Sequence, residues 1–107
     1  MERLFVYGTL GPNQPNEQVL SSIGGIWQSA TVVGKLLFEG WGSKMGYPGL
    51  RLDKHGVKIN GHVFSSDNLS SHWSKLDEFE GEEYCRVLAK VKTENQSLID
   101  AYIYVLR

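Results

Sequence analysis

The order of apolar and polar positions along the chain predicts a mostly β protein with short helices between its strands. Leu4-Phe5-Val6-Tyr7 is an apolar, aromatic run that reads as a buried strand, and it breaks at Gly8-Thr9-Leu10, just ahead of Gly11-Pro12. Glycine at position 8 leaves the backbone free to take conformations closed to other residues. Successive N–H groups at the end of such a strand, where they converge, form an anion-binding nest that needs no cationic side chain. A plain strand followed by a turn is the competing reading. After the polar breaker 11–15, Pro15 suits the first turn of a short helix. Its apolar side carries Val19, Leu20 and Ile23, and it ends at Gly24-Gly25.

From Ile26 to Phe38 the chain is rich in β-branched and aromatic residues, as one bent strand or two short ones, with Gly34 marking a bulge or a close backbone approach. Glu39 to Gly49 is glycine-rich and reads as a loop, in which Trp41 and Tyr47 either cover a ligand or fold back onto the core. Strands follow near Leu50 and from Val57 to Phe64, joined by a turn at Asp53 to Gly56.

Ser66 or Asp67 is placed to cap a helix running through Leu69, Trp73, Leu76 and Phe79. At about 100° per residue, with Trp73 at zero, Leu69 falls near about −40°, Leu76 near about −60° and Glu80 near about −20°. Glu78 then faces water, Asp77 lies on the flank, and Glu80 is the acid aimed inward. That placement is costly, because burial disfavours the charged form and a carboxylate in the last turn opposes the helix dipole. Two arrangements relieve the cost: the helix ends before Glu80 and lets it turn outward, or Arg86 pairs with it. The third reading is a functional site, since a buried glutamate with a raised pKa suits acid/base work near neutral pH.

Two strands close the chain, Tyr84 to Val91 and Leu98 to Leu106, joined as an antiparallel hairpin by Thr93-Glu94-Asn95-Gln96. One face carries Cys85, Val87, Ala89 and Val91 against Ile99, Ala101, Ile103 and Val105. The other carries Tyr84 and Arg86 against Tyr102 and Tyr104.

Length and composition narrow the picture. The 107 residues make one small domain with a single modest core, and 41% hydrophobic with 21% charged residues describe an ordinary soluble globular chain. A formal net charge of −1 gives no electrostatic reason for a nucleic-acid partner. There is no basic run for a membrane surface, no segment long enough to span a bilayer and no signal-peptide pattern. One cysteine makes no internal disulfide, which points to the reducing cytoplasm. Cys85, on the apolar face, reads as core filler rather than a nucleophile. His55, His62 and His72 lack zinc-ligand spacing, and Ser21-Ser22 and Ser70-Ser71 lack a nucleophile-elbow context.

Phe5-Val6-Tyr7-Gly8-Thr9-Leu10, taken with Leu76-Asp77-Glu78-Phe79-Glu80-Gly81 and then Tyr84 and Arg86, resembles the γ-glutamylcyclotransferase-like superfamily, and within it the short AIG2-like branch. Tyr47-Pro48-Gly49 and Ala101-Tyr102-Ile103-Tyr104 match the same pattern, so the resemblance spans nearly the whole chain. It implies an α+β fold: a small mixed, mainly antiparallel β-barrel flanked by two or three helices. It further implies that the backbone at Gly8, Thr9 and Leu10 holds a substrate α-carboxylate beside Tyr7. Glu80 matches the family's catalytic glutamate and Tyr84 a pocket tyrosine. Tyr47, Arg86 and Tyr102 complete the expected substrate-binding set. Members of the family often continue beyond the position of Arg107, where this sequence ends.

The implied reaction is intramolecular aminolysis: a γ-glutamyl compound's own α-amine attacks its γ-carbonyl, giving 5-oxoproline and a free amine. The nucleophile is already in the substrate, so no serine or cysteine is required, and neither metal nor cofactor is expected. The expected partner is a small γ-glutamyl molecule, with the chain a monomer or a homodimer. Two other functions fit the same residues: a pocket that holds a small carboxylate or amine without turnover, and a dimerising or partner-binding domain using the Tyr102/Tyr104 face.

Overall fold

The computed structural model describes residues 1–38 and 48–107. Trp41 and Tyr47 lie outside the described residues. The strands are β1 (Glu2–Val6), β2 (Ile26–Leu37), β3 (Gly49–Leu52), β4 (Val57–Ser66), β5 (Tyr84–Thr93) and β6 (Leu98–Leu106), with helices α1 (Glu17–Ser21) and α2 (Trp73–Glu80). They form one sheet in the order β3-β2-β4-β1-β6-β5, which β2 and β5 close by pairing Ala30 with Thr93 and Thr31 with Lys92. Five strands therefore make a barrel, and β3 is an extra strand on the edge of β2. All pairings are antiparallel except β1 with β6. The architecture is the mixed β-barrel with short flanking helices that the family resemblance implied.

Strand alternation sorts the apolar residues into two layers. Phe5, Ala30, Val32, Leu50, Ile59, Val63, Val91, Ala101, Ile103 and Val105 fill the barrel. Leu4, Val6, Phe64, Tyr84, Tyr104 and Leu106 point the other way and pack under Leu20, Leu69, Trp73 and Leu76 from the helical segments. The hairpin register pairs Val87 with Ile103 on the inner face and Arg86 with Tyr104 on the outer one. Its second face is thus a packing surface as well, with Tyr84 and Tyr104 both buried.

The expectation of one bent strand over 26–38 resolves as a single 12-residue strand, β2. At Gly34 a Cβ would stand 2.6 Å from the Arg51 carbonyl oxygen, so this position does mark a close backbone approach. Four details differ from the sequence reading. Pro15 precedes the N-cap Asn16 rather than entering the first turn of α1. The helix expected through Leu69 is broken into a 3₁₀ turn, Leu69–Ser71, and α2 proper. The break has a local cause: the Ser71 hydroxyl (3.0 Å) and His72 Nδ1 (2.8 Å) both hydrogen-bond the Asn68 carbonyl, competing with regular helix bonds. Ser66 accepts from the Asn68 N–H at 3.0 Å, and so shapes the approach to the 3₁₀ turn instead of capping α2. Finally, the left-handed glycines among the described residues are Gly24 and Gly81, so Gly8 makes its turn without that freedom.

Candidate active site

Glu80 is the last residue of α2, and the helix stops there because Gly81 turns the chain at φ 86°, a conformation that favours glycine. Trp73 and Leu76 bury one side of α2 against the barrel, and Glu80 lies on that same side. The helix therefore reaches Glu80, which excludes the early ending. Arg86 places its guanidinium on Asp77, Nε donating to Oδ1 at 3.0 Å and Nη2 to Oδ2 at 3.3 Å.

Glu80 lines a small cavity of about 50 Å³ together with Phe5, Val6, Tyr7, Gly8, Thr9, Leu10, Pro48, Tyr84 and Tyr104. Burial pushes its carboxyl up to about 7, so both its protonated and ionised forms are populated at neutral pH. Gly8, Thr9 and Leu10 line the same cavity. The internal hydrogen bonds of this turn run through carbonyls: Gly8 accepts from the Gly11 N–H at 3.1 Å and Thr9 from the Asn16 N–H at 2.8 Å. No backbone hydrogen bond among the described residues uses the Gly8, Thr9 or Leu10 N–H as donor, although Thr9 and Leu10 are buried.

Tyr7 and Tyr104 frame the cavity and tie its walls together. The Tyr7 hydroxyl donates to the Tyr104 carbonyl at 2.7 Å and accepts from the Leu50 N–H at 3.1 Å. The Tyr104 hydroxyl donates to Asp77 Oδ1 at 2.7 Å. Burial pushes both phenols well above the usual tyrosine range. For Tyr104 the Asp77 hydrogen bond acts in the same direction, and both hydroxyls remain protonated donors. Partial burial opposes the charge of Asp77, but the Tyr104 and Arg86 hydrogen bonds and the Arg86 charge outweigh it and hold its pKa below the usual value.

Of the residues expected at the site, the structure brings Tyr7, Gly8, Thr9, Leu10, Tyr84 and Glu80 to one cavity. Arg86 and Tyr102 are not among the described residues lining it. Arg86 stacks over Trp73, 4.3 Å from the ring centroid, and Tyr102 packs edge-on to Trp73 at 5.1 Å. Outside the expected set stand Tyr104, its hydrogen-bond partner Asp77, and Pro48, of which Tyr104 and Pro48 line the cavity. The signals for the first two were the pairing of Tyr104 with Arg86 across the hairpin and the flank position of Asp77 beside Glu80.

A larger groove of about 510 Å³ shares Val6, Tyr7 and Gly8 with this cavity and is otherwise lined by polar residues such as Lys58, Asn60, His62 and Lys92. Glu80 lines the smaller cavity and is not among the described residues lining this groove. Among the described residues no group of His, Cys, Asp and Glu could hold a metal ion, and no helix is long and apolar enough to cross a membrane.

The five-stranded mixed barrel with one extra strand and two short helices is a fold of the cyclotransferase-like class. The sequence matches the family described as "Gamma-glutamyl cyclotransferase, AIG2-like" over residues 4–107, and the chain belongs to that family. Among solved structures it is similar to YkqA from Bacillus subtilis, with 28% identity and a TM-score of 0.74; the match covers 99% of this chain and 36% of that one. An AIG2-like protein from Mus musculus matches at 24% identity and TM-score 0.72, over 98% of this chain and 76% of that one. A protein described as "Gamma-glutamyl cyclotransferase" matches at 16% identity and TM-score 0.69, over 99% and 66%. The chain thus spans about a third of the Bacillus subtilis structure, and the last two likenesses, at their low identity, speak for the fold. No curated protein matches the sequence.

Proposed function

We propose that this protein is a γ-glutamyl cyclotransferase that converts a small γ-glutamyl compound to 5-oxoproline and a free amine, with Glu80 as its general acid/base. The observation that carries the reading is a carboxyl raised to about 7 in the same cavity as the buried 8–10 turn. The chemistry follows from these parts. The turn's amides hold the α-carboxylate of the substrate, which folds the γ-glutamyl chain back on itself. Holding the amine near the carbonyl recovers much of the entropic cost of cyclisation. Ionised Glu80 takes a proton from the α-ammonium group, freeing the amine to attack the γ-carbonyl. The C–N bond to the leaving amine breaks as Glu80 returns the proton to that nitrogen, while the ring nitrogen, which carries two hydrogens after the attack, gives up its second proton to the departing amine through solvent, so that the products are the lactam and a protonated amine. One carboxyl serves both transfers, and it leaves the cycle in the ionised form in which it began.

Family membership makes a γ-glutamyl substrate the natural class to test. Incubation with a panel of γ-glutamyl amines, amino acids and isopeptides should release 5-oxoproline from at least one member. Glu80→Gln should abolish that release while leaving the fold intact by circular dichroism. If the wild type binds members of the panel and releases no 5-oxoproline, the protein is a binding module. Equal turnover by wild type and Glu80→Gln removes Glu80 from the mechanism.

A further inference from the structure

The acid/base group and the anion-holding turn stand on different elements, α2 and the end of β1, and the reaction needs a fixed distance between them. A helix of eight residues has little stability of its own, and α2 has no side-chain cap at its start. Its position is set by what it touches. At its first residue the Trp73 indole N–H donates to Glu2 Oε1 at 3.0 Å. One turn before Glu80, the Asp77 carboxylate takes the Tyr104 hydroxyl from β6 and the Arg86 fork from β5. Tyr104 also offers its carbonyl to the Tyr7 hydroxyl, and Tyr7 immediately precedes the turn. A single residue of β6 thus grips both halves of the cavity, one through its backbone and the other through its side chain.

We propose that Tyr104, Asp77 and Arg86 form a positioning unit that fixes Glu80 relative to the 8–10 turn, with Arg86 acting on the helix instead of on the substrate. The role in turnover rests on the reading of Glu80 as acid/base. Asp77 and Arg86 do not line the cavity among the described residues; they act through α2. Arg86 is suited to this because its planar fork spans both oxygens of Asp77 while its flat face lies on Trp73, a geometry that lysine does not reproduce.

Three variants test the proposal: Asp77→Asn, Arg86→Lys and Tyr104→Phe, each read by steady-state kinetics and by a carbon-13 NMR titration of the Glu80 carboxyl. Loosening the helix end should lower kcat about 10- to 100-fold, the scale of a misplacement near 1 Å, with KM held within about twofold. The Glu80 titration should move from about 7 toward the ordinary 4.5 as the carboxyl gains water. Asp77→Asn also deletes a neighbouring charge, so Tyr104→Phe, which changes no charge, isolates the positional effect. It also carries the test if Asp77→Asn fails to fold. A rise in KM at unchanged kcat would mean that Arg86 or Asp77 touches the substrate, and overturns the proposal. Folded variants with wild-type kcat and wild-type Glu80 titration overturn it too. Should the wild type release no 5-oxoproline from any compound, the cyclotransferase reading fails alone. The NMR titration then decides the positioning unit: a shifted Glu80 supports it, and an unmoved one ends it.

Discussion

The 8–10 turn and the end of α2 face one cavity, yet the turn offers backbone and the helix offers a side chain. Backbone donors are there whatever the residues are, so the side chains of Thr9 and Leu10 are left to anchor the turn, and both are buried. Glu80 is different: its use depends on one functional group and on how dry its surroundings are. Perturbing the helix end therefore requires a change in the protein, while the turn is better probed by changing the ligand. The largest expected effect comes from the helix end. Glu80→Gln keeps shape and hydrogen-bonding capacity and removes only proton transfer, so turnover should fall about 10²- to 10⁴-fold. Affinity for the substrate, measured by calorimetry, should stay within a few-fold if, as proposed, the turn holds the carboxylate. If binding collapses along with turnover, the division of labour between the two halves is wrong.

The same glutamate should also be visible in stability. Its folded-state pKa of about 7 lies above the ordinary 4.5, so the folded protein holds this proton more tightly than the unfolded chain. Its contribution is fully present below about pH 4.5 and is lost as pH rises through 7, an amount on the order of 3 kcal/mol. Denaturant unfolding at pH 5 and pH 8 should show this loss in wild type, and Glu80→Gln should lack that component. A wild-type and variant pair with the same pH dependence would mean that Glu80 is as well solvated as the acids on the other side of α2.

How much of this was legible in the residues differs between the halves for the same reason. Helical spacing alone put Glu80 among Trp73 and Leu76, because the period of a helix is fixed even when its start is misjudged; α2 begins at Trp73, not near Leu69, and the angle between Trp73 and Glu80 is unaffected. The barrel's inner face was equally legible, since Cys85 through Val91 and Ile99 through Val105 alternate without interruption. What the pattern could not give was the partner of each polar group on the outer face. Arg86 was expected at the substrate, and its contact with Asp77 depends on where α2 lies across the hairpin, a tertiary relation with no sequence period. Tyr104 was overlooked for the same reason: its hydroxyl and its carbonyl serve different elements, and no local rule relates them. At the turn, glycine at position 8 suggested a backbone conformation closed to other residues, and the left-handed glycines among the described residues are Gly24 and Gly81.

The turn is tested from the ligand's side. A γ-glutamyl compound whose α-carboxylate is replaced by a carboxamide keeps size and loses the charge that the turn's amides would hold. Charge-assisted hydrogen bonds are worth about 1.5–3 kcal/mol, so kcat/KM should drop about 10- to 100-fold. The deficit should be the same at every pH where the enzyme is active, since no titrating side chain is involved. A deficit that appears only below pH 7 would tie carboxylate recognition to Glu80 and merge the two halves into one.

The smallest effect separates holding the turn from taking part in the reaction. Tyr7 lines the cavity, but its hydroxyl is already engaged with the Tyr104 carbonyl and the Leu50 N–H. Tyr7→Phe leaves that N–H, on a fully buried residue, without its acceptor, a loss of about 1–2 kcal/mol in unfolding free energy. Activity should fall much less than in Glu80→Gln, because the raised pKa keeps the hydroxyl protonated and unsuited to serve as a base. If Tyr7→Phe instead matches Glu80→Gln in lost turnover while its stability is unchanged, the hydroxyl belongs to the chemistry. The turn half of the site would then rely on a side chain after all.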